Sequence, residues 1–154
     1  DIIYHNRTRK EDAEKRLGAR YTEMDQVLKN ADFLVVMTPL TDETHHLIGE
    51  EELKKMRKEA FIINASRGPV VDEEALIKAL QEGWIAGAGL DVYEKEPMDG
   101  NNPLLKMKNV VTLPHIGSAT RKTRDEMGVV AARALVEVLE KGDSPYIVPE
   151  LRKG

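Results

Sequence analysis

The chain has 154 residues, enough for one domain with a real hydrophobic core. Its 27 acidic and 23 basic residues are intermixed for a net charge of −4, so no basic face of the kind nucleic acids select is expected. It has no cysteines, which excludes disulfides and thiolate metal sites, and no apolar run approaches the roughly 20 residues that span a bilayer. Without a signal-peptide pattern, a cytoplasmic protein with no membrane partner is the economical expectation.

Short apolar runs alternate with segments of helical period. Residues 1–4 read as a strand and 10–17 as a helix stopped by Gly18. Between them lies His5-Asn6-Arg7-Thr8-Arg9-Lys10. In dinucleotide-binding sheets an acid at this place reads the ribose 2′-hydroxyl, whereas an arginine accommodates a 2′-phosphate. Asn6, Arg7 and Thr8 offer an amide, a forked cation and a hydroxyl, all able to bind phosphate oxygens. A plain basic loop leading into a helix is the competing reading. His5 is expected to face packing or solvent.

Residues 19–21 form a short candidate strand and 24–29 a small helix. Residues 33–37 are apolar throughout and end at Thr38-Pro39, which predicts a strand buried on both faces. His45 and His46 are adjacent, a poor geometry for a shared metal, and are expected to be surface or packing residues; no metal site is expected. Residues 50–56 form a short helix that feeds a strand at 60–64. There Asn64-Ala65-Ser66-Arg67-Gly68-Pro69 presents an arginine and turns the chain toward Asp72, which caps a helix running to Glu82 and stopped by Gly83.

Residues 86–92 are the next strand, where Gly87-Ala88-Gly89 permits close packing. Asp91, Glu94 and Glu96 follow, and Pro97 is expected to hold that loop extended. The last strand, 110–113, leads into Pro114-His115-Ile116-Gly117, whose glycine would allow close backbone approach to a ligand. Residues 120–141 predict a long helix with Met127, Val130, Ala131, Ala134, Leu135, Val138 and Leu139 on one stripe, expected to be packing surface. Gly142 ends it, and 143–154 reads as a tail.

The alternation predicts an α/β fold: a three-layer, Rossmann-like, doubly wound parallel sheet. Arg67, Glu96 and His115 each follow a strand, so all three emerge at the carboxyl edge, where ligands bind in open α/β sheets. Taken singly, such an arginine is usually a surface ion-pair former, and a lone histidine is a poor candidate catalyst. Together, a guanidinium to grip a carboxylate, an imidazole to move a proton and an acid to tune it suit reduction of a 2-keto acid. No G-x-G-x-x-G precedes the first strand, and the chain opens where the second strand of a dinucleotide fold would. The expectation is a fold lacking its first strand and glycine-rich loop.

The stretches N-A-S-R-G-P-V-V-D-E-E-A-L (64–76), G-A-G-L-D-V-Y-E-K-E-P (87–97) and L-P-H-I-G-S-A-T (113–120) resemble the D-isomer-specific 2-hydroxyacid dehydrogenases. The similarity leans to the glyoxylate/hydroxypyruvate reductase branch, with 2-ketogluconate reductases close by. The resemblance implies that Arg67 binds the substrate carboxylate and keto oxygen, that His115 protonates that oxygen, and that Glu96 keeps His115 protonated. It implies cofactor-lining roles for Pro39, Ala65, Ser66, Arg67, Asp91, His115, Ile116 and Gly117. Asn6-Arg7-Thr8 resembles the motif of reductases that prefer NADP(H), with NAD(H) as the second candidate. A small 2-keto or 2-hydroxy acid is the implied substrate and a homodimer the implied assembly. Residues 1–142 would be a partial NAD(P)-binding domain, and 143–154 a tail returning to an absent substrate domain. A polypeptide of this length is expected to be inactive, and poorly stable or associated. A dinucleotide-sensing corepressor, or a family dehydrogenase acting on phosphoglycerate or phosphite, is the alternative.

Overall fold

The computed structural model describes residues 1–151. They divide into two compact units, Asp1–His115 and a second from Ile116 onward. In the first unit the elements run β1 (Ile3–Tyr4), α1 (Glu11–Leu17), β2 (Arg20–Tyr21), α2 (Met24–Asn30), β3 (Phe33–Val36), α3 (Glu50–Lys55), β4 (Phe61–Asn64), α4 (Glu73–Glu82), β5 (Gly87–Leu90) and β6 (Val110–Thr112). All strand pairs are parallel, as the alternation predicts.

The strands form two sheets. β1 pairs with β2, and β3-β4-β5-β6 form a four-stranded sheet in that order. This is the strand order of the doubly wound fold on either side of its first strand. Among the described residues, β1 and β3 are each paired on one side only. Leu90 and Asn64 end neighbouring strands in register, so the loops that follow them start side by side.

The core lies between the four-stranded sheet and helices α2, α3 and α4. Leu28, Leu53, Leu76 and Leu80 descend from the helices onto Leu34, Val36 and Ile62. Leu53 and Ile62 are fully buried, and each such side chain contributes about 2 kcal/mol relative to exposure. Gly87 lies under the Phe61 ring and against the Asn109 carbonyl, where a Cβ would sit 2.4 Å from that oxygen. Close packing is thus the role of this small-residue stretch. The expected helix stops hold: Gly18, Gly83 and Gly142 all adopt left-handed backbone, and Asp72 caps α4 by accepting the Ala75 N–H at 3.0 Å.

Two expectations need correction. β3 is not buried on both faces: Leu34 and Val36 point into the core, whereas Phe33 and Val35 are 64% and 56% exposed. A continuous apolar run fits a strand covered on two sides, but no described residue covers this face. The stripe on α5 (Arg121–Lys141) is likewise not packed; the helix buries none of its residues, and Leu139 is 76% exposed. Among the described residues of its unit, nothing is large enough to cover a helix of this length. The tail carries local structure. Ser144 is buried, its hydroxyl donates to Glu137 at 2.8 Å, and a short 3-10 turn covers Pro149–Leu151. Residues 152–154 of the expected tail lie outside the described residues.

Candidate active site

Because β4, β5 and β6 are parallel, the loops that follow them open at one edge, and these carry Arg67, Glu96 and His115. Each loop has its own internal brace. In the β4 loop, Asn64 is buried and does most of the shaping. Its carbonyl oxygen accepts the Ser66 N–H at 3.1 Å and the Ser66 hydroxyl at 2.9 Å, while its amide donates to the Arg67 carbonyl at 3.0 Å. The turn leaves Ala65 and Arg67 exposed and Ser66 buried with its hydroxyl directed to Asn64. The guanidinium folds back to donate to the Ser66 carbonyl at 2.7 Å.

Gly68 then passes against the β5 loop so closely that a Cβ would lie 1.8 Å from the Tyr93 carbonyl oxygen. Only glycine allows that approach. The contact brings the arginine loop beside the loop of Glu96. From there Glu96 Oε2 reaches His115 Nδ1 at 2.7 Å, and Oε1 accepts the Tyr93 N–H at 3.0 Å. Burial alone pushes the Glu96 carboxyl up. The hydrogen bonds from His115 and the Tyr93 N–H, with the charges of His115 and Arg67, outweigh it and hold the group below the usual carboxylate range. Glu96 is therefore an anion against the imidazole. The Glu96–Pro97 peptide is cis.

His115 has a left-handed backbone, φ 54, which a residue with a Cβ rarely adopts. Such strain, of order 1 kcal/mol, clusters at functional positions. With Nδ1 engaged by Glu96, Nε2 is the ring atom left for another partner. His115 also lines a cavity of about 310 Å³ with Tyr93, Glu96, Met98, Leu105 and Leu113. Asp91 is buried where β5 ends. Ile116 and Gly117 are exposed at the start of the second unit.

A second set of residues lies at the carboxyl ends of β1 and β3. Asn6, Arg7 and Thr8 are exposed in the loop after β1. That loop is closed by Tyr4, whose hydroxyl accepts the Lys10 N–H and donates to Glu14, and by a bidentate Arg9–Glu14 pair. Arg7 reaches Glu43 at 3.3 Å across to the loop after β3. In that loop Pro39 is exposed, and its carbonyl accepts the Thr44 hydroxyl at 2.6 Å. Thr38 Oγ1 is buried there with no hydrogen-bond partner among the described residues. An orphaned polar atom at the point where two sheets part is what a nucleotide-binding edge would present. The donors at this edge fit a dinucleotide.

His45 is exposed and His46 half-buried, as expected of surface or packing residues. Their rings stack at 4.0 Å, and His46, with φ 52, places Nε2 2.7 Å from Glu94. Donor atoms of His45, His46 and Glu94 all lie within 4.8 Å of one another. Two donors on one tetrahedral ion with bonds of about 2.0–2.1 Å stand about 3.3 Å apart. At 2.7 Å, His46 and Glu94 are a hydrogen-bonded pair. Adjacent histidines gave no sign of a partner 48 positions away, and the Asx-type bracing by Asn64 was readable only as a polar residue at a strand end. His5 is exposed and contacts the Thr22 carbonyl at 3.0 Å.

Comparison with known proteins places this geometry. Residues 1–117 match the family described as D-isomer specific 2-hydroxyacid dehydrogenase, NAD binding domain. The chain is 52% identical over 147 residues to a glyoxylate reductase of Aeropyrum pernix, covering 96% of this chain and 44% of that protein. It is 56% identical over 138 residues to a glyoxylate/hydroxypyruvate reductase B of Cronobacter sakazakii, covering 90% and 43%. Among solved structures, an NADPH-dependent glyoxylate/hydroxypyruvate reductase from Sinorhizobium meliloti, in complex with NADP and malonate, superposes with a TM-score of 0.89 at 36% identity. That match covers 100% of this chain and 48% of the other. The chain thus spans under half the length of the relatives it matches. Its Rossmann-like α/β fold and its similarity over residues 1–117 make it a member of the D-isomer-specific 2-hydroxyacid dehydrogenase family.

Proposed function

We propose that this chain supplies the cofactor-binding part of an NAD(P)H-dependent reductase that converts a small 2-keto acid to the D-2-hydroxy acid. The observation that carries the reading is the 2.7 Å His115–Glu96 pair at the carboxyl edge beside Arg67. Arg67 would grip the substrate carboxylate and polarise the keto oxygen. The reduced nicotinamide, when bound, supplies the hydride that the keto carbon takes up. His115 would deliver the proton to the oxygen from Nε2, and Glu96 would stabilise the imidazolium before that transfer. Relatives named for glyoxylate and hydroxypyruvate point to those acids as substrates, with 2-ketogluconate the next candidate.

For the cofactor, Asp91 would meet the nicotinamide end, aided by Ala65, Ser66, Ile116 and Gly117. Pro39 would line the adenosine end. Asn6, Arg7 and Thr8 would take a 2′-phosphate, with Arg7 released from its exposed pair with Glu43; NADP(H) is therefore the preferred cofactor and NAD(H) the weaker one. Residues 1–142 would form the cofactor-domain portion and 143–154 the return toward a substrate domain, in a cytoplasmic homodimer, as the family resemblance implies.

Steady-state kinetics on a full-length reductase carrying this chain test the reading, comparing NADPH with NADH on glyoxylate, hydroxypyruvate and 2-ketogluconate. The expected result is turnover favouring NADPH, nearly abolished by Arg67→Ala. Equal use of both cofactors would defeat the phosphate role of Asn6-Arg7-Thr8, and full activity of the variant would remove Arg67 from the mechanism.

A further inference from the structure

Glu96 and His115 sit on different loops, and their 2.7 Å contact persists only if those loops keep a fixed offset. One residue touches both. Tyr93 donates its backbone N–H to Glu96 Oε1 at 3.0 Å, which leaves Oε2 for the imidazole. Its ring is buried, and its hydroxyl lies 2.7 Å from the Leu113 carbonyl and 3.1 Å from that of Leu90. Leu90 ends β5, and Leu113 stands two residues before His115. The Leu113 N–H donates in turn to the Leu90 carbonyl at 2.8 Å.

A buried tyrosine whose hydroxyl merely needs a partner is common. This one is distinguished by where its partners lie. The phenol has a single proton, and the shorter contact directs it to Leu113, on the segment that leads into the strained backbone of His115. Burial pushes the phenol up, so that proton stays in place through the neutral range. The main chain of Tyr93 is itself fixed from the opposite side by Gly68, against which it packs without room for a Cβ. Tyr93 therefore stands between all three loops of the edge.

We propose that Tyr93 is a positioning residue for the Glu96–His115 pair, its N–H orienting the carboxylate and its hydroxyl fixing the chain that carries the imidazole. The inference rests on the reading of that pair as the proton-donating unit. Loss of the hydroxyl leaves the ring, its burial and the backbone bond to Glu96 in place, and removes the tie to the His115 segment.

The test is Tyr93→Phe in a full-length reductase carrying this chain, beside Glu96→Gln and His115→Ala, with kcat and KM for keto-acid reduction measured per folded enzyme. The expected result for Tyr93→Phe is a fall in kcat of about tenfold, the cost of one lost orienting hydrogen bond, with KM for the keto acid changed less than about twofold. A merely structural tyrosine would lower the melting temperature and the active fraction and leave kcat per folded enzyme unchanged. A folded Tyr93→Phe enzyme with wild-type kcat, or one whose loss follows the unfolded fraction alone, overturns the inference. If Glu96→Gln and His115→Ala keep full turnover, it is the reading of the pair that fails.

Discussion

Glu14 shows how a single carboxylate can fix a loop. Two hydrogen bonds from Arg9 and one from the Tyr4 hydroxyl hold its carboxyl at about 2, against an ordinary 4.5. A carboxyl depressed in the folded state adds stability that is fully present above its unfolded value and is lost as pH falls through the folded one. The contribution should therefore decline from about pH 4.5 to about pH 2. Urea unfolding of Glu14→Gln should show a lower midpoint than wild type at pH 7 and a smaller difference near pH 2; a constant difference would show that the pair is not the source. The loop secured this way carries Asn6, Arg7 and Thr8. None of its bracing was legible in the sequence, because Tyr4, Arg9 and Glu14 come from a strand, a loop and a helix. What could be read was the chemistry of the side chains, a forked cation and a hydroxyl after a strand, and not what holds them.

At the level of elements, the strands and helices were legible because their signals are local. Apolar runs of four or five residues, Asp72 before α4, and glycines after α1, α4 and α5 each act within a turn of the chain. Burial was less legible. The run of residues 33–37 satisfies the pattern of a doubly covered strand, yet Phe33 and Val35 are exposed, since coverage depends on elements distant in sequence. The approach of the Arg67 loop to the Glu96 loop is of the same kind. It depends on Gly68 meeting the Tyr93 carbonyl, a contact no local pattern announces. Gly68→Ala should lower stability by about 3 kcal/mol, at the upper end of overpacking costs, as read from urea midpoints. An unchanged midpoint would mean the two backbones can part freely, and with them the edge.

At the scale of the whole molecule, the strand order leaves β1 and β3 each paired on one side among the described residues, and β3 presents exposed Phe33, Val35 and the neighbouring Phe61. Open edges beside apolar faces invite pairing with further chains. A polypeptide of residues 1–154 should therefore associate at micromolar concentration in sedimentation equilibrium and show no keto-acid reduction; a stable monomer with turnover would contradict both. The candidate site at this edge was legible because the loops after β4, β5 and β6 need only parallel strands to converge, and that much periodicity could predict. That Glu96 meets His115 at bonding distance required the fold itself. The proposed delivery of the proton by this pair is checked by turnover of glyoxylate with NADPH in a full-length reductase carrying this chain, wild type against His115→Ala. The expected result is a loss in kcat of about 10²–10⁴-fold with a far smaller change in KM. Wild-type kcat in a folded His115→Ala enzyme would contradict it.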